Sequence, residues 1–128
     1  MKTIIFDFDG VLADSFSPLY TLIKKAMFEI GINLSEDQYR SFFNGNVHDN
    51  FKLFINNSSS IKLGADKAYN RFAEFRRINY LTYYSRVKLF LGADTLVRNL
   101  QRQNNLAIAS AGNNNAIIDL LTKNNLNS

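Results

Sequence analysis

Residues 3–15, TIIFDFDGVLADS, place two aspartates, Asp7 and Asp9, at the end of a short apolar run. The run is continuous rather than alternating, which predicts a buried strand of a parallel sheet over residues 3–7. Aspartate is a poor strand former, and an unpaired carboxylate is costly to bury. We therefore expect the pair where the strand ends and Gly10 turns the chain toward a crevice. The alternative is a polar turn that carries two solvated aspartates.

The composition is that of a folded domain. The chain has 128 residues, of which 46% are hydrophobic, and it has no cysteine, which excludes disulfides, thiolate metal sites and a thiol nucleophile. The N-terminus lacks the pattern of a signal peptide, because Asp7 breaks the apolar run soon after Lys2. No stretch reaches the length of a membrane span. We therefore expect a cytoplasmic protein without a membrane partner.

The net charge of +4 suits anionic ligands such as phosphates, and it is also compatible with nucleic acid. Basic and aromatic residues interleave over residues 71–88, a pattern that single-strand-binding faces use. Apolar residues at Ala65, Ala68, Phe72 and Phe75 recur at helical spacing, however, and favour a long amphipathic helix. We therefore expect no nucleic-acid partner.

The rest of the chain shows mainly helix patterns, with one further strand pattern. The sequence SEDQ at residues 35–38 has the capping-box pattern that begins helices. The predicted elements are a helix opened by Ser17-Pro18 and ended by Gly31, a helix from 35 to near Gly45, a helix over 47–56, a long helix near 64–84, a helix over 92–105 closed by an Asn-Asn turn, a strand over 106–110, and a helix within 111–125.

Two strand–loop–helix units therefore flank an all-helical insert. This order predicts an α/β fold with a Rossmann-like parallel sheet, whose strands end in polar loops on the same edge. The predicted domains are an α/β core over residues 1–13 and 87–128 and a helical insert over residues 14–86.

Two carboxylates this close repel each other unless a cation lies between them. Mg²⁺, which prefers oxygen ligands, would remove that repulsion beside Asp7 and Asp9. One carboxylate could then attack a phosphorus centre, and the other could protonate the leaving group and later activate water. The residues thus suggest phosphoryl transfer at the carboxyl edge of the sheet.

The segment FDFDGVLADS resembles the first motif of the haloacid dehalogenase (HAD) superfamily. LAIASAGN, residues 106–113, resembles the second motif, a strand that ends in Ser or Thr. The helical insert resembles the cap of the phosphoglycolate phosphatase and β-phosphoglucomutase branch, and FFNGNVHDNF, residues 42–51, resembles its substrate-facing loop. The resemblance covers essentially the whole chain and implies a HAD-like core with an inserted α-helical cap.

The resemblance also implies roles for the site residues. Asp7 would be the nucleophile that forms an aspartyl-phosphate, and Asp9 the general acid and base. Both would bind Mg²⁺, Asp9 through its backbone carbonyl. Ser110 and the amide of Ala111 would bind the phosphoryl group. The second aspartate favours phosphoryl transfer over dehalogenation, because a phosphate ester needs its leaving oxygen protonated, whereas a halide does not.

In the cap, the resemblance implies that Gly45 and His48 face a small phosphorylated metabolite. Gly45 would permit a tight bend, and the imidazole of His48 would hold a polar or anionic end of the substrate. The alternative is that His48 lies in the first turn of a surface helix and contacts only water.

The family's third motif, a lysine, and its fourth, acidic metal ligands on another strand, have no match in the chain. Lys123 lies within the last predicted helix, too early to be the motif lysine, and Asp119, in the same helix, is expected to be a solvated surface residue. The resemblance therefore implies that the chain corresponds to the front half of such a protein, and we expect a truncated core. We expect it to self-associate, to pair with a separately encoded C-terminal half, or to be poorly stable.

Two hypotheses follow for the function. The first is a Mg²⁺-dependent phosphatase of small phosphorylated metabolites, with a phosphomutase as a close variant. The second is a non-catalytic remnant that acts as a binding or assembly module through its helical cap or exposed sheet edge.

Overall fold

A computed structural model describes residues 1–42, 46–58 and 63–126. These residues form four strands and six helices. In chain order they are β1 Lys2–Phe6, β2 Ala13–Asp14, α1 Phe16–Phe28, α2 Glu36–Phe42, α3 Val47–Asn56, α4 Ala65–Tyr84, β3 Lys88–Leu89, α5 Ala93–Leu100, β4 Asn104–Ile108 and α6 Asn114–Lys123.

The chain forms two compact units. The core unit comprises residues 1–18 and 84–128, and the cap unit comprises residues 19–83. The predicted domain boundaries, 1–13 with 87–128 and 14–86, stay a prediction, because compactness alone does not show that either unit folds independently. No helix in the described ranges combines the length and apolarity that crossing a membrane requires.

The main sheet of the core unit joins the two predicted strands. β1 pairs with β4 in parallel, in a register that runs from Lys2 opposite Asn104 to Phe6 opposite Ile108. Beyond the ladder, the N–H of Ala109 donates to the Phe6 carbonyl at 2.9 Å. The predicted α/β class with a parallel sheet is confirmed, and both strands end on the same edge.

Some element bounds differ from the prediction. The strand predicted over residues 106–110 is β4, which begins two residues earlier, because Asn104 and Asn105 pair with β1 instead of forming a turn. The side chain of Asn104 also donates to the Leu100 carbonyl at 3.1 Å, so it caps the end of α5 from within the strand. The helix predicted over residues 92–105 therefore ends at Leu100.

The first helix also begins earlier than predicted. α1 starts at Phe16, so Ser17 is not its N-cap and Pro18 is not its first residue. Pro18 still lies in the first turn, where the missing N–H of proline has no intrahelical partner to lose.

A second, two-stranded sheet was not predicted. Ala13–Asp14 pairs with Lys88–Leu89 in antiparallel fashion, and the N–H of Phe90 donates to the Leu12 carbonyl at 2.9 Å. Strands of two residues leave no periodic pattern in the sequence. Within the core unit, this ribbon ties the segment after β1 to the segment after α4.

The cap unit is built from α2, α3, most of α1 and all but the last residue of α4. The capping box is present as predicted: the Ser35 hydroxyl accepts the Gln38 N–H at 3.2 Å, and the Gln38 side chain accepts the Ser35 N–H at 2.9 Å. The predicted helix over residues 47–56 and the long helix near 64–84 are confirmed. The buried core consists of Ile23, Ala26, Met27, Ile30, Ile32, Leu34, Phe51, Phe54, Ala68 and Phe72.

One face of the main sheet is exposed. The residues of β1 and β4 alternate, so that Ile4, Phe6 and Leu106 are half-buried while Thr3 and Ala107 on the opposite face are exposed. Ile5, opposite Ala107 on that same face, is 65% exposed. Isolated two-stranded sheets are only marginally stable in water, and this exposed face carries the large apolar side chain of Ile5.

Candidate active site

The site begins at the loop after β1, which is anchored by a buried aromatic residue. Phe8 is fully buried, and its carbonyl accepts the N–H groups of Val11, Leu12 and Ala13 at 3.2, 2.9 and 3.0 Å. On either side of it, Asp7 is exposed and Asp9 is half-buried. The loop therefore buries Phe8 and leaves both carboxylates at the carboxyl end of the sheet.

Gly10 closes this loop. Its φ of 79° lies in the left-handed region, which glycine adopts without strain, and its N–H donates to the Ala13 carbonyl at 2.8 Å. The turn predicted at this position is confirmed. The turn reverses the direction of the backbone immediately after Asp9.

Asp7 is the first residue after β1. One carboxylate oxygen, Oδ1, accepts the N–H of Phe8 at 2.7 Å. The carboxylate is thus held through Oδ1 by the backbone of its neighbour, while the residue stays exposed.

The loop after β4 lies beside this first loop, because the two strands are parallel neighbours. Ser110 follows the strand by two residues, and its Oγ accepts the N–H of Gly112 at 3.0 Å. Asn113 then caps α6, with its side chain accepting the N–H of Ala116 at 3.1 Å. Ala111 is exposed between them. The sequence thus folds locally as strand, tight polar loop and helix.

Gly112 is where the two loops meet. A Cβ built on Gly112 would lie 2.9 Å from Oδ2 of Asp9 and 3.2 Å from Oγ of Ser110. The first distance is shorter than real Cβ contacts allow, so a larger residue would displace the carboxylate. The acidic loop and the serine loop therefore share one small space. Gly112 was not predicted as a site residue, although a glycine two residues after a motif serine is a usable signal.

Tyr84 is a second residue that the sequence did not reveal. Its hydroxyl donates to Oδ1 of Asp9 at 3.0 Å, and the side chain is only 4% exposed. Tyr84 is the last residue of α4, which the sequence marks only as an amphipathic helix. A contact between residues so distant in sequence has no local pattern that could predict it.

The cap residues proposed to face a substrate are only partly described. Gly45 lies outside the described residues. His48 is in the first turn of α3, as the alternative expected, where its N–H donates to Asn46 Oδ1 at 3.0 Å. Its imidazole does not contact water alone, however: it packs edge-on against Tyr69 with ring centroids 4.5 Å apart. With Lys52 and Asp66, His48 also lines a cavity of about 510 Å³ within the cap unit.

Two charged residues lie in the last helix. Asp119 and Lys123 both belong to α6, and both are exposed. The prediction of a surface position for Asp119 is confirmed.

The residues after β1 offer oxygen ligands of the type that hard cations bind. Three or more His, Cys, Asp or Glu side chains do not cluster as a metal site anywhere in the described ranges. The Asp7 carboxylate and the Asp9 carbonyl are nevertheless oxygen donors of the type that Mg²⁺ prefers, and Mg²⁺ usually keeps several waters and substrate oxygens in its octahedral shell. The donors present therefore fit Mg²⁺ in chemistry but supply only part of its coordination.

Solved structures share this fold over almost the whole chain. A phosphatase of Clostridium acetobutylicum, described as predicted, matches 98% of the chain and 56% of its own length at a TM-score of 0.75 and 18% identity. A haloacid dehalogenase-like family hydrolase of Streptococcus pneumoniae matches 99% of the chain and 57% of its own length at 0.73 and 17% identity. A HAD family hydrolase of Deinococcus radiodurans, solved with bound phosphate and sodium, matches 98% and 52% at 0.70 and 20% identity.

The chain thus spans little more than half the length of these structures. A search among curated proteins found no match. The family model for haloacid dehalogenase-like hydrolases, by contrast, matches residues 4–128, which include both loops of the site. The chain therefore belongs to the haloacid dehalogenase-like hydrolase family.

Proposed function

We propose that the protein is a Mg²⁺-dependent phosphatase of small phosphorylated metabolites that works through an aspartyl-phosphate on Asp7. One observation carries the proposal: the Asp9 carboxylate and the Ser110 hydroxyl meet at Gly112, on the sheet edge where Asp7 follows β1. Family membership supports hydrolase chemistry of this class. A bound Mg²⁺ would neutralise the negative charge that the phosphate and the two aspartates bring together.

Asp7 would act as the nucleophile. Its Oδ1 is held by the Phe8 N–H at 2.7 Å, so Oδ2 would form the new bond to phosphorus as the ester P–O bond breaks. Ser110 would hold a phosphoryl oxygen. Because Ser110 Oγ accepts the Gly112 N–H, its own hydroxyl proton is left to donate to that oxygen. The exposed amide of Ala111 would add a second donor.

Asp9 would move the protons. As an acid it would protonate the alkoxide that leaves phosphorus, and as a base it would then deprotonate the water that attacks the aspartyl-phosphate. That second attack breaks the Asp7–phosphorus bond, releases inorganic phosphate and restores Asp7. A phosphomutase would differ only in using a substrate hydroxyl in place of water.

The cap would choose the substrate. We propose that Gly45 and His48 belong to the surface that contacts the part of the metabolite beyond its phosphate. The cavity beside His48 also holds Lys52, whose cationic side chain suits an anionic group.

The uncovered face of the main sheet favours a second candidate, an assembly role. Ile5 is 65% exposed there, and the chain matches only 57% of the Streptococcus pneumoniae hydrolase. We propose that further polypeptide covers this face, either a second copy or a C-terminal half that supplies the family's lysine and acidic ligands. These ligands have no counterpart in residues 1–128.

The experiment that tests the phosphatase uses the full-length protein with p-nitrophenyl phosphate, in Mg²⁺ and in excess chelator. Asp7→Asn should abolish turnover, because an amide is not a nucleophile, and Asp9→Asn should slow it strongly. Asp119→Asn, at an exposed position of α6, is the matched control and should leave turnover unchanged. Equal turnover by wild type and Asp7→Asn would contradict the mechanism. A folded protein without turnover would favour the assembly role.

A further inference from the structure

We propose that Tyr84 is a positioning residue that holds the Asp9 carboxylate with Oδ2 directed at the Ser110 loop. The inference rests on the proposed function, because it gives Tyr84 a part in the proton transfer assigned to Asp9. It concerns a residue that belongs to neither of the two sequence motifs.

The two oxygens of Asp9 have different surroundings. Oδ1 accepts the hydroxyl of Tyr84 at 3.0 Å. Oδ2 lies 2.9 Å from the point where Gly112 would carry a Cβ, on the side of the Ser110 hydroxyl. A carboxylate whose one oxygen is held by a donor cannot rotate freely about its last bond. The tyrosine therefore fixes the orientation of the carboxylate, with its other oxygen directed at the Ser110 loop.

Tyr84 is itself well fixed. Its side chain is 4% exposed, so its hydroxyl does not exchange partners freely with water. Its carbonyl accepts the N–H of Val87 at 2.9 Å, in a turn whose Val87 side chain is also buried. A rigid donor of this kind can hold the carboxylate in one orientation.

A positioning role makes a prediction that a purely structural role does not. An ester with a strongly basic leaving group needs its oxygen protonated, whereas an aryl ester with a weakly basic leaving group does not. Losing the correct orientation of Asp9 should therefore slow the first ester far more than the second. A loss of folded protein would slow both equally.

The test compares wild type and Tyr84→Phe in the full-length protein, with glycerol 3-phosphate and p-nitrophenyl phosphate as substrates. We expect kcat/KM for the alkyl ester to fall about tenfold more than for the aryl ester, a part of the roughly 10²–10⁴-fold that a general acid contributes. In an Asp9→Asn background, Tyr84→Phe should not change further the ratio of kcat/KM for the alkyl ester to kcat/KM for the aryl ester. Tyr20→Phe is the control, because it removes a tyrosine hydroxyl bond, 3.2 Å to the Leu34 carbonyl, within the cap unit.

If Tyr84→Phe slows both esters equally or not at all, the ratio is unchanged and the role of Tyr84 is overturned. The proposed function would still stand in that case, provided that turnover depends on Asp7. Absent or Asp7-independent turnover would overturn the proposed function, and the role of Tyr84 with it. If Tyr84→Phe does not fold, as judged by circular dichroism, Gly112→Ala takes its place. This variant displaces the Asp9 carboxylate from the Oδ2 side. If the orientation of that carboxylate matters, the variant should lower the ratio of alkyl-ester to aryl-ester kcat/KM.

Discussion

Asp9 and Ser110 approach one point from two loops, the position of the missing Cβ on Gly112, at 2.9 and 3.2 Å. The parallel pairing of β1 and β4 brings these loops together, because residues after parallel strands emerge on the same edge. The closeness is possible only because residue 112 has no side chain. The site therefore depends on a glycine whose role is spatial, since its backbone is not in the left-handed region.

The first prediction concerns that glycine. Gly112→Ala should lower the free energy of unfolding by about 1–3 kcal/mol, as an added methyl in a filled space does. It should also reduce phosphatase turnover by about tenfold or more, since Asp9 or the Ser110 loop must move. Chemical denaturation and p-nitrophenyl phosphate turnover measure the two effects.

Gly64→Ala is the matched control. Among the described residues, apart from its chain neighbours, no atom lies within 4 Å of a Cβ built on Gly64. Gly64 is the N-cap of α4, where its carbonyl accepts the Ala68 N–H at 3.0 Å, so alanine there should cost about 1 kcal/mol at most, and turnover should stay near wild type. Equal behaviour of the two alanine variants would show that the contact at Gly112 does not constrain the site.

The second prediction concerns Ser110. Ser110→Ala removes the proposed donor to a phosphoryl oxygen, and the loss of one such donor typically costs about 10²–10³ in kcat. It also removes the acceptor of the Gly112 N–H, so the loop should loosen. Ser110→Thr keeps the hydroxyl and should retain most of the turnover. A wild-type rate in the alanine variant would exclude Ser110 from phosphate binding.

The third prediction concerns the capping box of α2. Ser35→Ala removes the side-chain acceptor of the Gln38 N–H and should cost about 1 kcal/mol of stability. Turnover per folded molecule should not change, because neither Ser35 nor Gln38 is among the proposed site residues. Ser41→Ala, at an exposed position inside the same helix, should cost nothing. Thermal melts of the two variants give the comparison.

What the sequence could predict depended on the range of the interaction. The capping box at Ser35 and the turn at Gly10 were predicted because their partners lie within four residues. The strand that begins at Asn104 was predicted two residues short, since pairing with β1 outweighed the turn preference of asparagine.

Contacts between distant segments were beyond prediction. The hydroxyl of Tyr84 reaches Asp9 only after the chain has passed through the cap helices, and nothing near Tyr84 in the sequence indicates that contact. The two-residue strands β2 and β3 are likewise defined by each other rather than by their own residues. The motif resemblance could place Asp7, Asp9 and Ser110, but it could not supply the neighbours that orient them.

The fourth prediction concerns His48. In the full-length protein, His48→Ala should selectively raise KM for a phosphorylated metabolite with a polar or anionic end, with little change in kcat. The variant also loses the edge-on contact with Tyr69, so its melting temperature should be measured beside the kinetics. His48→Gln, which keeps a hydrogen-bonding group, should recover part of the KM. Unchanged kinetics across a panel of metabolites would exclude His48 from substrate recognition.

The last prediction concerns the uncovered face of the main sheet. If further polypeptide covers it, residues 1–128 expressed alone should self-associate through the apolar face that contains Ile5, which is 65% exposed. Ile5→Lys should then reduce the apparent mass in light scattering, because a charge cannot be buried there without a partner. Ile78→Lys is the matched control, since Ile78 is 61% exposed on α4 of the cap unit and should leave the association unchanged. A monodisperse monomer of the wild-type sequence with a sharp melt well above room temperature would refute the assembly role. Equal effects of the two lysine variants would show that the association does not run through the sheet.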